Sequence, residues 1–322
     1  MVKDDESTPA VAVKAANELV RDDVAAVMGG YASSVTLAVQ SVTARAGKLY
    51  FVAGSQTSKM FGDVDPNALR INTNSEVAGY SAAEYLLKDV GAKRIGVLWE
   101  NDAYGQDALA QFESSVKEIG GATIVASEQF AFTDTDFRVG IGNVKAARPD
   151  VVVTFSSAAI TGLPVLMKQL KNARLSSKLF AGFGTVMPKT IELAEGDADG
   201  WESADIYYPQ SPPFTTYRAN VDFVKRYQEI ADGLAPDRWA ALPAQSLIVW
   251  AKAVGDTKST AADTIADAIK GGTFSDTILG DVAFTEQGQM TAKVQVYSIK
   301  DSAVVPVLPI EVPQEFWRVT AQ

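Results

Sequence analysis

Short apolar runs alternate with longer amphipathic stretches along most of this chain, and this order constrains the fold more than any other feature. Val24–Gly29 and Val151–Phe155 are apolar almost throughout, which is typical of strands buried on both faces of a sheet. Between such runs, Glu76–Val90 places apolar residues along one helical face and is followed by Gly91, a common helix terminator. The alternation predicts an α/β fold with parallel, doubly wound sheets covered by helices on both faces.

The same pattern predicts individual elements. Strands are expected at Val24–Gly29, Lys48–Ala53, Arg94–Trp99, Thr123–Ser127, Val151–Phe155, Lys178–Gly182, Gly280–Phe284 and Lys293–Ile299. Helices are expected at Ser34–Arg45, Glu76–Val90, Gln106–Ile119, Thr133–Ala147, Leu163–Leu175, Pro188–Ala194, Tyr217–Gly233, Ala241–Val254 and Ala261–Lys270. At about 100–200 residues per domain, the length predicts two domains, and the proline-rich Tyr207–Phe214 predicts a connection between them.

Composition excludes several classes of chemistry. The chain has no His and no Cys, which excludes Ser-His-Asp and Cys-His catalysis, zinc-His sites, disulfides and iron–sulfur clusters. Carboxylates, Lys, Tyr and Ser remain, so composition alone does not exclude an enzyme. The net charge of −10 argues against a nucleic-acid partner, and the basic Lys168–Lys178 predicts a solvated helix end. No apolar run approaches the roughly 20 residues that span a bilayer, so no membrane insertion is expected.

Several segments match, in order, the motifs of one known family. They are Lys3–Met28, GGYASS (Gly29–Ser34), KLYFVAGSQTS (Lys48–Ser58), NDAYG (Asn101–Gly105), TDTDF (Thr133–Phe137), RPDVVV (Arg148–Val153) and GDVAFTEQG (Gly280–Gly288). The chain resembles the type I periplasmic binding proteins and, more narrowly, the branched-chain amino acid (Leu/Ile/Val) substrate-binding proteins of ABC importers. In this resemblance, Lys3–Met28 corresponds to the family's second strand, the following helix and the third strand.

The resemblance implies two lobes joined by a hinge of several crossings, which close on a ligand like a clamshell. The first lobe would contain 1–74 plus 207–283, and the second 75–206 plus 284–322. The implied protein is a non-enzymatic monomer, periplasmic or otherwise extracytoplasmic, which captures an amino acid or related small carboxylate for an ABC permease without a cofactor. The alternatives are a ligand-sensing regulatory domain of the same fold and a binder of aromatic acids or amides rather than amino acids. A carboxylate-based α/β enzyme is a weaker alternative.

The resemblance departs from the family at the start. In the family, a first strand and helix precede the segment that matches Lys3–Met28, and that strand lies centrally in the sheet of the first lobe. Strands without their neighbours lose hydrogen-bond partners, at about 1–3 kcal/mol for each buried unpaired group. We therefore expect residues 1–322 expressed alone to be poorly soluble or ligand-free, and restoration of the strand and helix to recover both properties.

In the first lobe, candidate ligand contacts follow two predicted strands. Ser33 and Ser34 stand where a helix begins, and helix N–H groups with hydroxyl donors suit a carboxylate, although simple N-capping by Ser33 is the alternative. The resemblance assigns the ligand-carboxylate serine to Ser33. It also implies that the Ser55 carbonyl and the Thr57 hydroxyl contact the ligand, at the strand end where open α/β sheets bind ligands. A polar turn, or a shift of one residue to Gln56, is the alternative there.

In the second lobe, the resemblance implies that Tyr104 lines the pocket while Asp102 caps the following helix; a purely structural Tyr104 is the alternative. Relatives place an aromatic residue near Ala159 and, at the position of Gly184, a glutamate that pairs with the ligand ammonium. Because an ammonium is costly to bury without a carboxylate, Gly184 favours a carboxylate ligand with an apolar or aromatic far end, unless another acid substitutes. Phe183 is either core or a surface on which that end stacks.

Overall fold

The computed structural model describes residues 1–60 and 65–318, and its elements largely follow the predicted alternation from Pro9 to Asp205. The helices are α1 (Pro9–Arg21), α2 (Ser33–Arg45), α3 (Ser75–Glu84), α4 (Ala103–Ile119), α5 (Arg138–Ala146), α6 (Gly162–Asn172), α7 (Pro188–Leu193), α8 (Arg218–Ile230), α9 (Arg238–Thr257), α10 (Ala262–Ile269) and α11 (Gln314–Trp317). The strands are β1 (Ala26–Gly29), β2 (Leu49–Val52), β3 (Ala68–Arg70), β4 (Arg94–Glu100), β5 (Thr123–Phe130), β6 (Val151–Phe155), β7 (Lys178–Ala181), β8 (Trp201–Asp205), β9 (Thr273–Thr277), β10 (Gly280–Phe284), β11 (Met290–Thr291), β12 (Val294–Lys300) and β13 (Ala303–Ile310). A π-helical turn at Tyr85–Asp89 extends α3, and 3-10 turns lie at Ser58–Met60 and Phe214–Thr216.

The chain divides into two compact units. The first contains Met1–Asn74, Tyr207–Ala292 and the chain from Pro313 onward, and the second contains Ser75–Ile206 and Lys293–Val312. The bounds expected from the sequence, 1–74 plus 207–283 and 75–206 plus 284–322, differ from this division at 284–292 and from 313 onward. Residues 284–292 join the first unit because β10 pairs with β9 and β11, and because the Arg70 N–H donates to the Gly288 carbonyl at 2.9 Å.

The first unit is built on a parallel sheet of order β1–β2–β3. Its central strand, β2, has the sequence LYFV and is buried at every position, as a continuous apolar run predicts. Tyr50 and Val52 of this strand pack with Val27 and Met60 in the core. The short β9, β10 and β11 form a separate antiparallel sheet in this unit.

The described residues 1–8 form no strand, although the resemblance implies one between Lys3 and α1. The carboxylates of Asp4 and Asp5 instead accept hydrogen bonds from the N–H groups of Glu6 and Ser7, both at 2.8 Å. These bonds build a turn, since Asp side chains readily bond to the backbone two residues on. The expected strand at the start of Lys3–Met28 is therefore wrong, whereas α1 and β1 correspond to the helix and strand expected after it.

The second unit contains a seven-stranded sheet of order β13–β12–β8–β7–β6–β4–β5. The five strands from β8 to β5 are parallel, and β12 and β13 add to the sheet in antiparallel orientation. Strand order reverses between β4 and β6, because β5 lies on one side of β4 and the later strands lie on the other. Ligands of open α/β sheets bind at such a reversal, beyond the carboxyl ends of the strands.

The predicted α/β class with parallel-dominated sheets is confirmed. The helix expected at Thr133–Ala147 begins only at Arg138, because Asp134 folds back and accepts a hydrogen bond from the Ala131 N–H at 2.8 Å. Across the residues that the structure describes, no helix is both long enough and apolar enough to cross a membrane.

Candidate functional site

Ser33 is the first residue of α2, and its hydroxyl contacts the loop that follows β2. The N-cap of α2 is Ala32, so the alternative in which Ser33 merely caps the helix is wrong. The Ser55 hydroxyl donates to the Ser33 hydroxyl at 3.0 Å, and both residues are buried. The helix leaves its first backbone N–H groups unsatisfied, so hydroxyl and N–H donors gather at this point. Ser34, the next predicted contact, is exposed.

A glycine lets the loop after β2 reach the loop after β1. A Cβ atom on Gly54 would stand 2.1 Å from the Gly30 carbonyl oxygen and 2.6 Å from the Tyr31 Cα, so no other residue is tolerated without backbone movement. Sequence reasoning did not single out Gly54. The available signal was a glycine directly after a buried strand, which often marks close backbone approach.

Arg70, the last residue of β3, lies fully buried beneath the same loop. Its guanidinium donates to the Gln56 carbonyl at 3.1 Å and to the Thr57 carbonyl at 2.5 Å. These bonds hold the loop backbone and place a positive charge beside Thr57. The Ser55 carbonyl, by contrast, accepts no hydrogen bond from the described part of the chain, which leaves it as an acceptor at this edge.

A second buried cation, Arg238 at the start of α9, is tied to this loop through Asn72. Arg238 Nη2 donates to Asn72 Oδ1, and Asn72 Nδ2 donates to the Gly54 carbonyl at 2.6 Å. Gln289 Nε2 also donates to the Asn72 carbonyl, at 2.6 Å. The network joins segments far apart in sequence, so sequence reasoning missed Arg70 and Arg238. Two buried guanidinium groups near donor hydroxyls favour an anion here.

In the second unit, Tyr104 lies in the first turn of α4, on the carboxyl side of the sheet. Asp102 is the N-cap of α4 and accepts a hydrogen bond from the Gly105 N–H at 2.7 Å, as predicted. The Tyr104 hydroxyl lies against Gly182, where an added Cβ atom would be 2.9 Å from it. The structure therefore brings Tyr104 together with the loop that follows β7.

That loop contains Phe183 and Gly184, two further predicted contacts. Phe183 is buried, with 4% of its surface exposed. Gly184 has a φ of +68° and donates its N–H to the Ala204 carbonyl at 3.0 Å. A glutamate at this position would be strained, because side chains other than glycine rarely adopt this conformation. Ala159, in the loop after β6, is also buried, and its carbonyl accepts a hydrogen bond from the Thr190 hydroxyl at 2.7 Å.

Two acids that sequence reasoning missed lie at the ends of strands in this unit. Glu100 ends β4 and accepts hydrogen bonds from the Ser157 N–H at 2.9 Å, the Ser157 hydroxyl at 2.7 Å and the Ser156 hydroxyl at 3.3 Å. Burial raises the pKa of Glu100, the bonds from Ser157 oppose that shift, and the neighbouring Asp102 charge adds to it. Asp205 ends β8 and accepts from the Ile206 N–H at 2.6 Å. For Glu100 the available signal was an acid that closes the apolar run 95–99, whereas β8, with the sequence WESAD, gives no such signal for Asp205.

The two carboxyl edges therefore differ in chemistry. The first unit offers hydroxyl and N–H donors with two buried guanidinium groups, and the second offers aromatic rings with two buried carboxylates. Among the described residues, no group of three or more Asp or Glu side chains is placed to hold a metal ion. These are features of sites that bind small molecules through a few placed polar groups.

Comparisons with known proteins agree with this architecture. Residues 1–303 match the family model described as "Periplasmic binding protein". The chain is 26% identical over 290 residues to the Leu/Ile/Val-binding protein homolog 1 of Brucella abortus, an alignment that covers 89% of this chain and 75% of the relative.

Solved structures share the fold. A leucine-binding protein from Thermotoga maritima superimposes with a TM-score of 0.83 at 21% identity, covering 95% of this chain and 86% of the other. An ABC-transporter solute-binding protein from Rhodopseudomonas palustris BisB5, in complex with 3,4-dihydroxybenzoic acid, has a TM-score of 0.85 at 21% identity, covering 97% and 85%.

The family match spans most of the chain, and the two-unit α/β architecture agrees with it. The relative and both solved structures are named as binding proteins. This chain therefore belongs to the type I periplasmic binding proteins, in the group that contains the Leu/Ile/Val substrate-binding proteins of ABC transporters.

Proposed function

We propose that this protein captures a small organic carboxylate for an ABC permease and that Ser33, Ser55 and Thr57 hold the carboxylate. The observation that carries the proposal is the buried pair of hydroxyls, Ser55 on Ser33 at 3.0 Å, at the start of α2. The N–H groups of a helix N-terminus favour an anion, and Arg70 adds a buried positive charge beside Thr57.

The second unit supplies the contacts for the rest of the ligand in this proposal. Tyr104 and Phe183 offer aromatic surface, and Ala159 and Gly184 carry no large side chain. An apolar or aromatic far end would pack on these rings without requiring a charged partner. The Rhodopseudomonas palustris neighbour is in complex with an acid of that kind, 3,4-dihydroxybenzoic acid.

An α-amino acid is the second candidate, and particular groups favour it. The Ser55 carbonyl is an acceptor with no donor among the described residues, and Glu100 and Asp205 are carboxylates at strand ends of the second unit. An ammonium group would need acceptors of this type. The Thermotoga maritima neighbour is named as a leucine-binding protein.

Calorimetry distinguishes the two candidates. Leucine, 3-methylbutanoate and 4-hydroxybenzoate share a carboxylate, and only leucine carries an ammonium group. We expect at least one of the two acids without an ammonium group to bind. Strong binding of leucine alone would assign the site to amino acids.

A matched pair of variants tests the carboxylate contact itself. Ser33→Ala should weaken binding about tenfold to a hundredfold, because hydrogen bonds to charged groups contribute about 1.5–3 kcal/mol. Ser41→Ala, on the exposed face of the same helix, should leave affinity unchanged. Native mass spectrometry of the purified protein gives the mass of any co-purified ligand, and a ligand without a carboxylate would overturn the proposal.

A further inference from the structure

A pocket of about 580 Å³ lies in the second unit at the amino ends of β6 and β7. This edge of the sheet is opposite the one that carries Tyr104. Lys145, Arg148 and Arg174 line the pocket, together with Asp150 and the serines before β7. Three cations against one carboxylate make its lining net positive, in a chain whose net charge is −10.

Cations near helix C-termini usually serve the helix itself, by bonding to its last carbonyls. Here other side chains already fill that role. Lys145 Nζ donates to the Ala173 carbonyl at 2.6 Å, which closes the end of α6. Arg94 donates to the Ala147 carbonyl at 2.6 Å and to the Arg148 carbonyl at 3.1 Å, which closes the end of α5. The guanidinium groups of Arg148 and Arg174 are therefore not needed to bond the last carbonyls of α5 and α6.

Arg148 and Arg174 each stand just beyond a helix, with φ of +50° and +52°. Glycine or asparagine is usual at that position, because other side chains are strained there. Within the described residues, neither guanidinium group makes an ion pair or a hydrogen bond, whereas Lys168, Lys171 and Lys189 of the same unit pair with carboxylates. Two strained arginines without internal partners thus share one pocket.

The remaining polar groups of the pocket are compatible with an anion. Asp150 accepts hydrogen bonds from the N–H groups of Lys93 and Arg94, both at 2.9 Å, and these bonds lower its pKa. Its carboxylate is therefore already engaged at the start of β4. The Ser176 hydroxyl is exposed and contacts no other group in the described chain, so it is available as a donor.

From this geometry we infer that the pocket is a second site, separate from the solute site, which binds a phosphate group. A guanidinium group donates two parallel N–H bonds to phosphate oxygens, and two such groups can share the oxygens of one phosphate. Free phosphate compounds and anionic phospholipid headgroups present the same group. The inference concerns the amino edge of the sheet and does not depend on the identity of the transported solute.

Titration calorimetry with inorganic phosphate at low ionic strength tests the site on the full chain. We expect saturable one-to-one binding that is weakened about tenfold or more in the double variant Arg148→Gln/Arg174→Gln. The control Arg45→Gln/Arg218→Gln removes two exposed cations elsewhere and should change affinity less than about twofold. Absence of saturable phosphate binding combined with absence of vesicle binding, or an equal loss in the control, would overturn the inference.

Two further measurements complete the test. Sedimentation with phosphatidylglycerol vesicles, compared with phosphatidylcholine vesicles, separates a lipid source from a soluble one, and either result supports the site. The variant Arg148→Gly/Arg174→Gly should unfold at a higher temperature than the wild type while losing phosphate binding, because glycine relieves the strained backbone. If that variant retains phosphate affinity, the arginines do not form the site.

Discussion

Replacing Arg70 with methionine should destabilise the first unit and free the loop that carries Ser55 and Thr57. The guanidinium donates two hydrogen bonds to buried carbonyls, and methionine removes both while keeping a side chain of similar length. Charge-assisted bonds contribute about 1.5–3 kcal/mol each, so their loss costs about 3–6 kcal/mol. Part of this is regained because methionine is not penalised for burial. The expected net loss is about 2–4 kcal/mol.

Urea unfolding followed by tryptophan fluorescence measures this change. With a slope of about 3 kcal/mol per molar urea, the unfolding midpoint should fall by about 1 M. Arg70→Lys keeps the charge but not both bonds. Its unfolding midpoint should therefore lie between those of the wild type and Arg70→Met. Arg45→Met is the matched control, because Arg45 is exposed and bonds only within its own helix. Its midpoint should stay within about 0.3 M of the wild type.

Unfolding of Arg70→Met at the same urea concentration as Arg45→Met would contradict a stabilising role for the two Arg70 bonds. In that case the two carbonyl bonds would be replaced by water, and the buried network would not hold the loop. A normal midpoint with reduced ligand affinity would instead assign Arg70 an electrostatic role alone.

Two further predictions concern the second unit. Gly182→Ala places a Cβ atom 2.9 Å from the Tyr104 hydroxyl, so calorimetry should show weaker ligand binding. Gly142→Ala is the control, because its Cβ atom meets nothing within 4 Å. It should leave ligand binding unchanged and raise the free energy of unfolding by about 0.5–1 kcal/mol. Equal affinities for the two variants would contradict the placement of Tyr104 in the site. Burial raises the pKa of Glu100 above its usual value, so the native state holds the proton more tightly than the unfolded state does. The free energy of unfolding should therefore fall as the pH rises through the native pKa. Glu100→Gln should flatten this dependence in urea unfolding series, and equal pH slopes in both proteins would show that Glu100 is not its source.

Much of the fold was predictable from local pattern. The strand Val151–Phe155 and the strand Gly280–Phe284 have the bounds that the sequence predicted. A strand buried on both faces must be apolar along its length, so the signal lies within a few consecutive residues. The capping of α4 by Asp102 was predictable for the same reason, because a cap acts on N–H groups two or three residues away.

Strands that depend on distant partners were missed. β8 has the sequence WESAD, and its Glu202 is buried because the Tyr85 hydroxyl donates to it at 2.8 Å and Lys178 Nζ at 2.5 Å. Neither partner is near in sequence, so the acid makes the segment look like a loop. β13 was likewise missed, because it depends on antiparallel pairing with β12, which strand–helix alternation does not predict. β12 itself lies where the sequence predicted a strand, at Lys293–Ile299.

The candidate site was likewise predictable only in part. The sequence by itself determined the α/β class, the strand ends after which ligand contacts were expected, and the position of Tyr104 beside a helix cap. Only the tertiary structure decided that Ser55 bonds to Ser33, that Arg70 and Arg238 support their loop, and that an acid closes β4 beside the loop after β6. The physical reason is that the apolar pattern of a segment depends on the burial of that segment alone. Which polar groups meet depends instead on strand order and loop contacts, and those contacts join residues far apart in the chain.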